Sequence, residues 1–215
     1  ADRFFLVGHS MGGLIAYSVA ATQLRAETRG IVSIGSPYLP GMGSRALQAA
    51  SFLLHAVRLT GLLDSNPTLP LKFVGTQLRL VRGLLDFKYA PMPFQGWAPG
   101  SVEQEILDEY LSRSFDRTSV EVAHGLLRFG ESGGLSPDGR SDARLAFEGL
   151  DRPLLVIAGT HDHLAPPESV RPVVEASRST DKSYREFPFG HIDILLGREA
   201  PVTVWPTIDQ WLRRR

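Results

Sequence analysis

Ser10 stands at the centre of Gly8-His9-Ser10-Met11-Gly12, directly after the apolar run Phe4-Phe5-Leu6-Val7 and before a helix-like stretch over residues 13–23. An apolar strand, a tight turn with serine at its apex and a helix behind it make a nucleophile elbow. Glycine is expected on both sides of the serine, because flanking side chains would crowd so sharp a turn. The following helix aims its positive end at the same place. A serine hydroxyl is a poor nucleophile at neutral pH, so Ser10 needs a base within hydrogen-bond reach, and histidine has the pKa for that task. Six histidines compete. His191 is the expected base, because Phe189-Gly190-His191-Ile192 follows the last strand-like run, at the sheet end where such folds gather their reactive loops. His55 and His124 fall in predicted helices, where histidine is more often a packing residue. His9, inside the elbow, is expected to line the substrate pocket or to support the turn.

A histidine base needs a carboxylate to hold its tautomer and to stabilise the imidazolium formed during attack. Asp162 is the candidate: it follows the apolar run 153–158 through Gly159-Thr160-His161 and gives the chain order serine, acid, histidine. Asp193 is the rival, yet it lies only two residues beyond His191, a spacing that more often sends the side chain elsewhere. The oxyanion formed on attack needs two backbone donors, one of which is expected from the amide of Met11 at the start of the helix. The other normally comes from a loop after an earlier strand, which this chain does not contain. Loss of one such donor costs about a hundredfold or more in rate, so the chain by itself is expected to be a crippled catalyst. His161 and His163 flank Asp162 and invite a metal reading. Two histidines and one acid with no third convergent ligand make a weak zinc set, so no metal and no other cofactor is expected.

The elements that must position these residues follow from hydrophobic patterning. Residues 30–34 and 153–158 are short apolar runs suited to strands buried on both faces, and the less apolar run 183–187 fits nearer a sheet edge. Four strands with helices between them imply a mostly parallel sheet flanked by helices, an α/β fold. Residues 37–151 break that rhythm and read as helices inserted over the reactive edge of the sheet. The chain therefore divides into a core portion over 1–36, a helical cap or lid over 37–151 and a second core portion over 152–215. Within the cap, Leu71, Val74, Leu78, Val81 and Leu85 share one face of an amphipathic helix from which Lys72, Arg79 and Arg82 fall away. Residues 44–63 are apolar on nearly all sides but carry Arg45, His55 and Arg58, which argues for a buried cap helix rather than a membrane span. Three readings are open for Phe52, Leu53, Leu84 and Leu85, a dimer face, a lipid-contacting lid or the cap's own core, and the last is the default. Ser101 with Gln104 and Thr118 with Glu121 have capping-box spacing, which predicts helices starting near Val102 and Ser119. Residues 90–100 read as a loop joining cap helices. The chain enters a hydrophobic strand almost at once, whereas a nucleophile strand normally sits mid-sheet, so the sequence is expected to be the C-terminal portion of a longer fold.

Composition narrows the function classes. The 215 residues carry 23 basic and 23 acidic side chains, so no net field favours nucleic acid or an anionic membrane. The terminal Arg213-Arg214-Arg215 is too short to count as more than a solvated end. There is no cysteine, which excludes disulfides and thiolate catalysis. The compartment is left open, with the cytoplasm preferred, and so is the oligomeric state.

The elbow, the acid loop and the histidine loop together resemble the α/β-hydrolase superfamily, over the C-terminal portion of that fold with a cap inserted. Asp162-His163-Leu164-Ala165-Pro166-Pro167, Gly190-His191-Ile192 and Val204-Trp205-Pro206 with Trp211-Leu212 are similar to stretches of polyhydroxyalkanoate synthases. Those synthases carry cysteine in the elbow, where this chain carries Ser10, as lipases and esterases of the superfamily do. The resemblance implies acyl chemistry without a cofactor: Ser10 attacks an ester, His191 moves the proton, Asp162 orients His191, and water resolves the acyl-enzyme. The apolar cap suggests a small-molecule ester or thioester with a hydrophobic acyl chain. Acyl transfer to a substrate hydroxyl, as in the synthases, is the alternative, and a non-catalytic module that keeps the elbow as architecture is the third reading.

Overall fold

The computed structural model describes residues 3–39, 42–45, 48, 52, 56, 68–69, 71–85, 96–114, 118–119 and 148–215. In chain order, β1 (Phe4–His9), α1 (Met11–Ala21) and β2 (Thr28–Ile34) come first. Next come β3 (Thr68–Leu69), α2 (Leu71–Leu85), α3 (Gln104–Arg113) and β4 (Thr118–Ser119). The last part holds β5 (Leu154–Gly159), α4 (Pro167–Val170), α5 (Pro172–Ala176), β6 (Lys182–Phe187), α6 (Asp193–Leu196) and α7 (Ala200–Arg213).

All four expected apolar runs form strands, and they build one parallel sheet in the order β1-β2-β5-β6. Ile31 lies opposite Leu154 and Val156 opposite Tyr184, so β2 and β5 occupy the centre. A parallel sheet is covered on both faces, which is why its central strands are apolar at successive positions. Ile31, Leu154, Val156 and Ala158 pack with Leu14, Tyr17 and Ala20 of α1 and with Val170 and Val173 of α4 and α5. Their neighbours Val32, Ile34, Leu155 and Ile157 pack on the other face with Ile194, Val204 and Trp211 of α6 and α7. β6 lies at one edge and is largely exposed, as its mixed composition predicts. β1 lies at the other edge of this sheet, with Val7 and Phe4 substantially exposed.

Between β2 and β5, the amphipathic pattern over residues 71–85 does form a helix, α2. Leu78 is half-buried against Leu107 and Leu111 of α3, and Arg79 pairs with Asp108 at 2.6 Å. Val81, expected on the packed face, is instead 40% exposed. Three further expectations need correction. The helix predicted from Val102 starts two residues later, because the Ser101 hydroxyl donates to the Ala98 carbonyl at 2.6 Å instead of capping, and Val102 forms a bridge with Gly197. Thr118 and Ser119 pair with Thr68 and Leu69 as short antiparallel strands rather than opening a helix; Glu121 lies outside the described residues. Phe52, assigned to the cap's core, is 78% exposed. Of residues 44–63, Arg45, Gln48, Phe52 and Ala56 are described and helical, while Leu53, His55 and Arg58 lie outside the described residues, as does His124. Among the described residues, no helix is long and apolar enough to cross a membrane.

Candidate active site

Ser10 links the last residue of β1 to the first of α1 and has φ +54° and ψ −124°. Among the described residues it is the one non-glycine with positive φ, a conformation that L-residues hold only when the surroundings enforce it. The enforcement comes from both sides of the turn. The Ser10 amide donates to the Ile34 carbonyl at 2.9 Å, and the Gly13 amide donates to the Ser10 carbonyl at 3.1 Å. A Cβ on Gly8 would lie 2.3 Å from the Gly12 carbonyl oxygen, so the strand can approach the helix start only as glycine. Gly12 is different from what the sequence suggests: a Cβ there would meet nothing within 4 Å. The second crowded position is Gly13, where a Cβ would stand 2.0 Å from the Ser36 hydroxyl. Glycine is thus required by packing before and after the turn rather than by the turn's immediate flanks.

The parallel sheet brings the acid and histidine loops to the same end as the elbow. His191 Nε2 is 2.8 Å from Ser10 Oγ, and His191 Nδ1 is 2.7 Å from Asp162 Oδ2. With Nδ1 donating to the carboxylate, Nε2 is left to accept the serine proton. Asp162 is buried, and its second oxygen, Oδ1, accepts the amides of Leu164 at 2.9 Å and Ala165 at 2.8 Å. These bonds hold the carboxylate in place, with Oδ2 turned to the imidazole. The acid loop is tied in turn to the histidine loop, because the His161 amide donates to the Phe189 carbonyl at 3.1 Å. The amide of Met11 stands in the first turn of α1, where no intrahelical carbonyl can reach it.

His9 meets the histidine loop as well as the turn. Its Nε2 donates to the backbone carbonyl of His191 at 2.8 Å, and the two rings lie 4.7 Å apart, tilted by 42°. Burial, with the neighbouring His191, pushes its pKa down to about 4, so His9 is a neutral donor at physiological pH. Asp193 does not reach the His191 ring: its carboxylate is wholly buried beside Ala98, whose amide faces Oδ2 at 3.4 Å, and burial raises its pKa. Gly35, the residue directly after β2, forms the floor of the site. Its φ is +53°, and a Cβ there would lie 3.3 Å from Asp162 Oδ2 and 3.6 Å from His191 Nδ1. The signal was its place at the carboxyl end of the strand beside the elbow. His161 and His163 are exposed, and no group of three histidines, cysteines or acids among the described residues could hold a metal ion. A cavity of about 600 Å³, lined by residues that include His161, Asp162, His163, Pro166, Arg171 and Glu186, borders the acid loop without taking in Ser10 or His191.

Comparison with known proteins gives the same frame. The structure is similar to that of the Paleococcus ferrophilus monoacylglycerol lipase, with a TM-score of 0.65 at 18% identity, covering 100% of this chain and 70% of that one. It is also similar to a soluble variant of the Saccharomyces cerevisiae monoglyceride lipase, with a TM-score of 0.65 at 15% identity, over 99% of this chain and 62% of that one. In sequence, 69 residues are 32% identical to the Poly(3-hydroxyalkanoate) polymerase subunit PhaC of Haloarcula marismortui, a stretch that covers 32% of this chain and 14% of that protein. A further 63-residue match, 38% identical, is to the subunit of the same name from Allochromatium vinosum, and covers 18% of it. The alpha/beta hydrolase fold family matches residues 1–197, and with the parallel sheet and the serine-bearing turn between β1 and α1 the chain belongs to that family.

Proposed function

We propose that the protein is a serine hydrolase of carboxylic esters with a hydrophobic acyl group. The observation that carries the reading is the unbroken chain from Ser10 Oγ through His191 to Asp162, with bonds of 2.8 and 2.7 Å and the serine held at φ +54°. Ser10 Oγ attacks the ester carbonyl carbon while His191 Nε2 takes its proton. Asp162 holds Nδ1–H and stabilises the imidazolium. The Met11 amide and the N-terminal end of α1 receive the negative charge on the carbonyl oxygen. His191 then gives its proton to the departing alcohol, and water, deprotonated by the same histidine, releases the acid.

The middle of the chain is read as a cap over this site. Trp97, Val102, Leu107, Leu111 and Ile192 form an apolar cluster beside the histidine loop. An apolar surface near a polar reacting centre favours acyl chains, each buried methylene contributing about 0.8 kcal/mol. The matches to polymerase subunits support a second reading, acyl transfer to a substrate hydroxyl, against which stands serine rather than cysteine at the elbow.

The test is labelling with a fluorophosphonate, located by peptide mass spectrometry, with Ser10→Ala as control, followed by esters of increasing acyl length and a hydroxyacyl thioester. Label on Ser10 and free acid as product are expected. Oligomers from the thioester would select the transferase, and a folded full-length protein that stays unlabelled would end both.

A further inference from the structure

Asp193 is the one wholly buried carboxylate among the described residues for which the reaction proposed above has no use. It opens α6 immediately behind His191, and across from it runs a strap of chain over residues 96–103 that leads into α3. The two are laced together along their length. The Ile192 amide donates to the Gly96 carbonyl at 2.7 Å, and the Ala98 amide faces Asp193 Oδ2 at 3.4 Å. Further along, the Arg198 amide donates to the Ser101 carbonyl at 2.8 Å, Val102 bridges Gly197, and the Arg198 guanidinium pairs with Glu103. Ser101 closes the strap on itself, its hydroxyl and amide both donating to the Ala98 carbonyl. Apolar packing follows the same line, with Ile192 among Trp97, Val102, Leu107 and Leu111. The fit leaves no slack: a Cβ on Gly190 would lie 2.7 Å from Asp193 Oδ1 and 3.1 Å from the Trp97 Cα.

A buried carboxylate is an expensive filler unless it accepts hydrogen bonds, and an apolar side chain of similar size would hold two segments together at lower cost. Its geometry offers what an apolar residue cannot, a directional anchor between the helix that follows His191 and the strap. The anchored partner belongs to the middle segment rather than to the sheet. The position of the His191 loop is therefore set from two sides, by His9 in the elbow and by the strap.

We infer that Asp193 is a positioning residue, which fixes the His191 loop to the 96–103 strap and so makes the distance from His191 to Ser10 depend on the segment read as the cap. The inference rests on the proposed roles of Ser10 and His191. Loosening the anchor shifts the base without touching substrate, and a displacement of about 1 Å at such a group costs up to about a hundredfold in rate.

The test compares the wild-type chain with Asp193→Ala, Asp193→Asn and Ser101→Ala, reading fluorophosphonate labelling rate per folded molecule, kcat, and KM for an ester. Asp193→Ala is expected to slow labelling and kcat by about tenfold or more with KM within twofold. Asparagine keeps an acceptor for the Ala98 amide, so Asp193→Asn is expected within threefold of wild type. Ser101→Ala, which removes a half-buried strap hydroxyl that bonds the Ala98 carbonyl and interacts with the Asp193 carboxylate, is expected to slow labelling about threefold and supplies the answer if Asp193→Ala does not fold. Labelling of Asp193→Ala at the wild-type rate per folded molecule, or, where that variant does not fold, of Ser101→Ala at that rate, overturns the positioning role while leaving the hydrolase reading intact. Absence of label on wild-type Ser10 overturns both.

Discussion

Replacing His9 with phenylalanine separates a positioning role from a substrate-contact role and carries a pH signature that follows from burial. His9 has a pKa near 6.5 in the unfolded chain and about 4 in the fold, chiefly because burial disfavours its charged form. Between those values the unfolded state binds more protons than the native state, so unfolding free energy rises with pH across the window. The stability that neutral His9 preserves is complete above about pH 6.5 and is lost as the pH falls towards 4. At pH 5.0 the linkage relation makes the loss about 2 kcal/mol relative to pH 7.5. For a chain of this size that is about 4–8 °C in Tm. Phenylalanine cannot titrate, so the difference in Tm between pH 7.5 and 5.0 is expected to shrink by that amount. The ring still packs on His191, but the donor to the His191 carbonyl is gone, leaving that carbonyl without its 2.8 Å bond. One such bond is worth about 1 kcal/mol, or roughly fivefold in a rate that depends on it. The expected pattern is a fall in kcat of about fivefold or more with KM within twofold, measured beside urea unfolding at the two pH values. An acid slope identical to wild type would refute the burial argument. A raised KM with unchanged kcat would return His9 to the wall of the substrate pocket.

Three further outcomes follow from the same geometry. Asp162→Asn keeps an acceptor for the Leu164 and Ala165 amides at Oδ1 but removes the charge at His191 Nδ1, so the chain should fold while kcat drops by about 10³–10⁴, read by ester hydrolysis beside circular dichroism. Gly35→Ala forces an L-residue to φ +53° and places a Cβ 3.3 Å from Asp162 Oδ2. About 1–2 kcal/mol of stability should be lost in thermal melts, with slower phosphonylation of Ser10. Treatment with a chelator should leave hydrolysis unchanged, and recovery of a lost rate by zinc would show that the exposed His161 and His163 do hold an ion.

The sheet was legible because its signal is local. A strand buried on both faces must be apolar at successive positions, and residues 30–34 and 154–158 are. Ser10, Asp162 and His191 were legible for a related reason: in a parallel sheet, chain order and strand ends alone bring three loops to one edge, so their meeting needs no knowledge of side-chain packing. Where the reading failed, a backbone pairing with a distant segment, which no local pattern records, had set the conformation. Ser101 has the spacing of a helix cap and spends its hydroxyl on Ala98 instead, because the strap must turn there to meet Gly197 and Arg198. Thr118 likewise pairs with Leu69, far away in sequence. Gly12 looked indispensable beside the serine and has open space, while Gly13 and Gly35, which no motif marks as strongly, are pinned by Ser36 and by Asp162 with His191.

The same contrast explains why Asp193 could be weighed only as a rival to Asp162. Two residues from His191 along the chain, it is turned away from the imidazole by the start of α6 and closed in by the strap. Sequence distance measures how soon the backbone returns to a place, whereas the role of a buried carboxylate depends on which donors surround it. For Asp162 those are an imidazole and two amides of its own loop, so the group touches the His191 ring directly. For Asp193 the facing donor is an amide on another segment, so what it can govern is where that segment stands relative to the base. An enzyme whose base is held in this way has its reactivity tied to the seating of the middle segment. Acyl chains that pack against Trp97, Val102 and Ile192 would then raise kcat as well as lower KM, an effect that a series of ester lengths assayed with wild type and Asp193→Ala would separate: the dependence of kcat on length should flatten in the variant and the dependence of KM should persist.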